Sequence, residues 1–122
     1  MVGALFDTNI IVDLLNGVEA ARTELARHSR PAISTISWIE VMVGAAPDEE
    51  DDLRRFLDAF ERVELDQAVS ERAVTIRKSH RLKLPDAVIW ASAQISGRVL
   101  VTRDVRDFPE NDPGVRAPYR LG

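Results

Sequence analysis

Four carboxylates occupy positions from which they could do chemistry together. Asp7 directly follows a short apolar run, Val2–Phe6 (VGALF), and Asp104 comes two residues after another, Arg98–Thr102 (RVLVT). Asp86 follows Pro85 ahead of the apolar stretch AVIWASA, and Glu40 sits inside ISWIEVMV. A carboxylate among large apolar neighbours is costly to desolvate unless something compensates. One such acid is ordinarily paired with Arg or Lys. Several acids that converge with few bases point to a divalent cation, because like charges cannot all stay ionised together. Hard Mg²⁺ or Mn²⁺ takes oxygen ligands of this kind. Each acid also has a plainer reading. Asp7 could cap the helix after it, Asp86 could stabilise its own helix start, and Glu40 could face solvent. Spacing alone leaves both readings open.

Composition narrows the chemistry further. The chain has no Cys and only two His, His28 and His80. Disulfide scaffolds, zinc ribbons, Cys nucleophiles and His-rich metal centres are therefore excluded, and any metal must be held mainly by carboxylates. A length of 122 residues predicts one domain spanning 1–122. With 45% apolar and 30% charged residues, the balance is that of a globular chain rather than a disordered one. Val2–Phe6 is too short for a signal peptide, and no segment approaches the roughly 20 apolar residues of a membrane span. The expected location is the cytoplasm, with no membrane contact.

Charge is spread unevenly. Residues 1–76 carry 7 basic and 15 acidic residues, net −8, whereas 77–122 carry 9 basic and 5 acidic, net +4. The overall −4 argues against a polyanionic partner, but a basic cluster counts for more than the average. Arg77, Lys78, Arg81 and Lys83 form one such set, with Arg77, Lys78 and Arg81 at spacing that shares a helix face. Arg103 and Arg106 flank Asp104. The acidic run Asp48–Asp52 after Pro47 reads as a solvated helix start, not a metal site.

The elements that must position these residues follow from periodicity. Val2–Phe6, Pro31–Ser34, Val63–Leu65 and Arg98–Thr102 read as short strands, with Tyr119 in a last one. Helices are expected over Asn9–Asn16 (stopped by Gly17), Val18–His28, Thr35–Gly44 and Asp52–Arg62. The last of these places Leu53, Phe56, Leu57 and Phe60 at i, i+3, i+4, i+7. Asp66 reads as the N-cap of a helix to about Arg81, and Pro85 opens another that ends before Gly97. Strands alternating with helices predict an α/β fold with a parallel sheet, whose ligands bind beyond the carboxyl ends of the strands.

Taken together, FDTNIIVDLL, ISTISWIEVMVG, LKLPDAVIWASA and VLVTRDVRDF resemble the PIN domain, and within it the VapC-type toxins of toxin–antitoxin pairs. The four stretches stand in the family's order and cover nearly the whole chain. The resemblance implies a three-layer α/β/α sandwich around a parallel sheet and a Mg²⁺-dependent endoribonuclease that leaves 5′-phosphate and 3′-hydroxyl ends. Carried over by position, the catalytic and metal-ligating acids are Asp7, Glu40, Asp86 and Asp104, with Asp107 as the alternative for the fourth. Thr8, Asn9 and Thr102 match the hydroxyl and amide groups the family sets beside its acids. The implied partners are an RNA substrate, drawn in by the basic sets above, a cognate antitoxin and a second copy of the chain. A homodimer surface would include the apolar helix Ile36–Val43 or Leu53–Phe60.

Rival readings lack their residues. A haloacid-dehalogenase-like phosphatase needs a second Asp where Asn9 stands, and a response-regulator receiver needs an acidic pair and a late Lys where Thr8-Asn9 and TRD stand. No Gly-rich strand–helix turn provides a P-loop or dinucleotide site. The remaining alternative is a catalytically inactive PIN-like RNA-binding or interaction module.

Overall fold

A computed structural model describes residues 3–109 and 111–121. Five strands form one all-parallel sheet in the order β3-β2-β1-β4-β5. They are β1 (Gly3–Phe6), β2 (Ala32–Ser34), β3 (Glu61–Val63), β4 (Arg98–Val101) and β5 (Val115–Arg116). Six helices connect them: α1 (Thr8–Leu15), α2 (Glu19–Ala26), α3 (Thr35–Val43), α4 (Glu50–Asp58), α5 (Gln67–His80) and α6 (Leu84–Ile95). The expected first residue of β1, Val2, lies outside the described residues.

Side-chain alternation along the strands builds two cores. Leu5, Ala32 and Leu100 point to one face, against α5 and α6. Ala4, Phe6, Ile33 and Val101 point to the other, where they meet Ile10, Ile11 and Leu14 of α1, Ala21 of α2, Val41 of α3 and Leu57 of α4. Helices therefore cover both faces, which gives the three-layer α/β/α sandwich. Burial of both faces explains why the strands read as continuous apolar runs. In α6, Ala87 to Ala93 are all buried, because this helix is wedged between the sheet and α5.

The helix boundaries have local causes. Asp66 caps α5 by accepting from the Val69 N–H at 2.9 Å. Glu50, Asp51 and Asp52 fill the first turn of α4, as the acidic run predicted. Gly97, at φ +70°, turns the chain from α6 straight into β4. Four expectations are corrected. Helix α4 ends at Asp58 rather than running to Arg62, because Phe60 already turns into the core and the Glu61 N–H pairs with the Pro31 carbonyl at 3.0 Å. That pairing starts β3 at Glu61, two residues before the expected Val63. Tyr119 lies after β5, not in a strand; its hydroxyl instead donates to Asp13 at 2.7 Å. Arg81 also departs from its expected helical place. Its φ of 54° is left-handed and ends α5, so it does not continue the face of Arg77 and Lys78.

The order of the strands decides where a ligand belongs. From β1 the chain moves outward to β2 and β3, then returns to the other side of β1 for β4 and β5. The switch point lies between the carboxyl ends of β1 and β4, where a parallel sheet leaves a crevice.

Candidate active site

Asp7 sits in that crevice. It is the first residue past β1, it extends the β1–β4 ladder through its N–H to the Val101 carbonyl (2.9 Å), and it is the N-cap of α1. The residue that caps α1 is thus also the one that stands in the crevice. One carboxylate oxygen, Oδ1, accepts from the Thr8 N–H at 2.7 Å. The other, Oδ2, accepts from the Thr102 hydroxyl at 2.8 Å and the Asn9 amide at 3.3 Å. Asp7 is only 4% exposed. Burial is the largest influence on it and raises its pKa to about 6; the Thr102 and Thr8 hydrogen bonds oppose this, while Asp86 and Asp104 add to it.

Thr102 organises the other side of the crevice. Its hydroxyl gives its hydrogen to Asp7 and accepts from the Asp104 N–H (3.0 Å) and the Asn9 amide (3.3 Å). Asp104 in turn closes its own loop, with Oδ1 accepting from the Arg106 and Asp107 N–H groups at 3.2 and 3.3 Å. This loop brings Asp107 round beside Asp104. Both meet Asp86, from the first turn of α6, so that one carboxylate oxygen from each of the three lies within 4.8 Å of the others. Burial raises the pKa of Asp86, and Asp107, Asp104 and Glu40 raise it further; Lys83, at the α6 N-cap, works in the opposite direction.

Glu40 enters from α3. It is exposed, as one plain reading expected, yet it is held: its Oε1 accepts from the Thr8 hydroxyl at 2.8 Å. Thr8 has one hydroxyl hydrogen, so with that given to Glu40 the buried Ser37 is the donor in the 2.8 Å Thr8–Ser37 contact. Ser37 carries no signal in the sequence beyond its place one turn before Glu40.

The structure therefore brings Asp7, Asp86, Asp104 and Glu40 into one electrostatic neighbourhood and adds Asp107 to it. Every donor is oxygen, and the acids outnumber the opposing cation, a set that fits a hard divalent ion. Arg103 lines a cavity beside Asp104, but its guanidinium is already engaged. It is turned to the buried Asp13, with contacts of 2.7 and 3.0 Å. That cavity, of about 390 Å³, is lined by Asn9, Arg103, Arg106 and Arg120 as well as Asp104. A larger one of about 590 Å³ lies at the opposite end of the strands, between Gly3, Arg30 and Arg98, and none of these five acids lines it.

The PIN domain family matches residues 4–112. A chain of a toxin–antitoxin complex from Klebsiella pneumoniae is 43% identical, covering 98% of this chain and 100% of that one, with a TM-score of 0.92. The DNA-bound VapBC from Salmonella typhimurium is similar at 27% identity, with 95% and 96% of the two chains covered and a TM-score of 0.78. FitAcB from Neisseria gonorrhoeae shares the fold at 22% identity, with 97% and 99% covered and a TM-score of 0.79. No curated protein sequence matches the chain.

Proposed function

The chain belongs to the PIN-domain family, and on that premise we propose that it is a Mg²⁺-dependent endoribonuclease, the toxin of a toxin–antitoxin pair. The observation that carries this reading is the convergence of five carboxylates from four separate segments on the switch point of the sheet. Asp7, Glu40, Asp86 and Asp104 would hold Mg²⁺, or Mn²⁺ in its place, with Asp107 beside them. Bound there, the ion supplies charge neutralisation at the scissile phosphate and acidifies water.

The chain's own groups set the geometry. Thr102 and the Thr8 N–H fix both oxygens of Asp7, so that its carboxylate cannot rotate away. Ser37 and Thr8 aim Glu40 across the gap between α1 and α3. Lys83, whose charge acts on Asp86, and Arg106, which lines the cavity beside Asp104, would meet RNA phosphates. No side chain is needed as a covalent nucleophile.

An antitoxin partner is supported by the 43% identical relative, which comes from a toxin–antitoxin complex. The second copy of the chain would dock on α3, where Ile39 and Val43 are 45% and 80% exposed. The alternative helix α4 is poorly suited, because Leu57 and Phe60 are buried and Leu53 and Phe56 pack on the same core. One domain over 1–122 and a cytoplasmic location complete the reading; no helix of the described residues is long and apolar enough to cross a membrane.

The test is cleavage of RNA by the purified protein in Mg²⁺, with Asp7→Asn as the matched control. Cleavage by the wild type alone, leaving 5′-phosphate ends, is expected. Equal products from both proteins, or none from either under any metal, would favour the inactive module.

A further inference from the structure

Asp13 stands on α1 beyond the acidic crevice and is 3% exposed. Its two oxygens take a bidentate pair from Arg103, 2.7 Å from Nε to Oδ2 and 3.0 Å from Nη2 to Oδ1. The Tyr119 hydroxyl donates to the same Oδ2 at 2.7 Å. None of these three side chains belongs to the acid group. Arg103, however, lies between Thr102, which holds Asp7, and Asp104, which meets Asp86 and Asp107. Its N–H also faces the Asn9 Oδ1 at 3.5 Å. The turn that carries the fourth acid is thus tied to α1 at two successive residues, through Thr102 to Asp7 and through Arg103 to Asp13.

We propose that Asp13, acting through Arg103 and steadied by Tyr119, is a positioning residue that fixes the Thr102–Asp104 turn on α1 and so places Asp104 within the acidic centre. The inference rests on the reading of that centre as a metal site. A bidentate guanidinium–carboxylate pair is directional, so it defines an orientation as well as an attraction. Stability alone gives little reason for it, since a buried ion pair is often matched by apolar residues of the same shape. The chain holds a second pair of the same build that provides a control. Glu24, also 3% exposed, takes Arg116 at 2.7 and 2.9 Å, and its other partners are His28 and Arg27. That cluster joins α2 to β5 and contains none of the acid-bearing turns.

The experiment is Mn²⁺ binding to the full chain without RNA, read by electron paramagnetic resonance of the free ion, alongside thermal melts. Asp13→Asn is expected to weaken Mn²⁺ binding by about 10–100-fold, the range for losing a residue that orients a ligand. Asp13→Glu keeps the charge and moves the carboxylate by one methylene, so a loss shared by both variants assigns the effect to geometry. Tyr119→Phe should give a smaller loss in the same direction and keeps the proposal testable if the Asp13 variants fail to fold. Glu24→Gln should lower the melting temperature while leaving the Mn²⁺ affinity unchanged. Wild-type affinity in whichever folded variants of Asp13 and Tyr119 are obtained overturns the proposal. Asp104→Asn separates the two levels: affinity lost there but kept in the Asp13 variants sinks the clamp alone, whereas no Mn²⁺ binding by the wild type sinks the metal reading with it.

Discussion

The Thr102 hydroxyl donates to the buried Oδ2 of Asp7 at 2.8 Å, joining the carboxyl ends of β4 and β1 at the point where the strand order reverses. This bond lowers the cost of a buried charge without removing it. Asp7 still has its pKa raised from 3.8 to about 6, chiefly by burial. A carboxyl whose folded value lies above its unfolded value stabilises the fold fully below the unfolded value. That contribution is lost as pH rises through the folded one.

Asp7→Asn should therefore stabilise the metal-free protein near neutral pH while abolishing cleavage. The shift in Asp7 corresponds to about 3 kcal/mol at most, and some is lost because an amide reproduces the hydrogen bonds imperfectly. A gain of a few degrees in Tm is expected in EDTA, shrinking as pH falls through about 6, where the folded wild-type carboxyl takes up its proton, and gone below about pH 4. Adding Mg²⁺ should raise the wild-type Tm and leave the variant's nearly unchanged. A lower Tm for the variant in EDTA at neutral pH would contradict the strained-carboxylate account.

Glu40 offers a contrasting case, because it is exposed and its carboxylate accepts a hydrogen bond from Thr8. Glu40→Gln should cut cleavage by at least about 100-fold if it helps to bind the ion, with Tm changed by little, as for surface substitutions generally. Loss of stability with activity retained would reverse its role from ligand to structural support.

Chelation gives the direct test of the oxygen-only donor set. EDTA should abolish cleavage, and Mg²⁺ or Mn²⁺ should restore it, since carboxylates favour hard ions. Full activity in excess EDTA would remove the ion from the mechanism.

Much of this arrangement is local and hence legible in the sequence. Asp66, Pro85 and Gly97 mark helix ends by capping and backbone geometry that depend on immediate neighbours. The apolar runs before Asp7 and Asp104 place those acids at strand ends, and strand order then brings them together. What cannot be read is pairing across the fold. Phe60 satisfies helical spacing from Leu53, yet it reaches the core from beyond the helix because Glu61 pairs with Pro31. Arg103 looks available beside Asp104 until Asp13, distant in sequence, claims its guanidinium. Ser37 orients Thr8 only because α3 crosses α1.

The two buried acid–arginine clusters predict the acid limit of stability. For Asp13, the Arg103 hydrogen bonds hold the carboxyl below its ordinary range, with burial opposing and Tyr119 assisting. For Glu24, burial alone would raise the carboxyl, but the bonds from Arg116 and His28 outweigh it and leave a net lowering. A depressed folded pKa contributes stability above the unfolded value and loses it as pH falls through the folded one. Wild-type Tm should thus fall steeply below about pH 4. The paired substitution Asp13→Asn with Glu24→Gln should start lower at neutral pH and flatten that descent. Melts that run parallel across this range would remove both carboxyls from the acid transition.

On the proposed reading, a chain of net charge −4 would engage RNA through local cations and the metal it binds. Arg103 is held by Asp13, and Arg81 turns away from the α5 face, so two of the expected contacts are withdrawn. Lys83 is exposed at the α6 N-cap and acts on Asp86, while Arg106 is exposed in the cavity beside Asp104. These two act on or share a cavity with the acids, whereas Arg77 and Lys78 belong to the last turn of α5. Each phosphate contact adds about 0.7 to the slope of log affinity against log salt for a single strand. Lys83→Ala with Arg106→Ala should therefore flatten the slope by about 1.4, and Arg77→Ala with Lys78→Ala by less. The measurement is RNA binding across a salt series in Ca²⁺, which occupies oxygen sites while suppressing turnover. A slope flattened only by the α5 pair would move the RNA path from the mouth of the crevice to the α5 end, and an unchanged slope in both would place the contacts on the second copy of the chain.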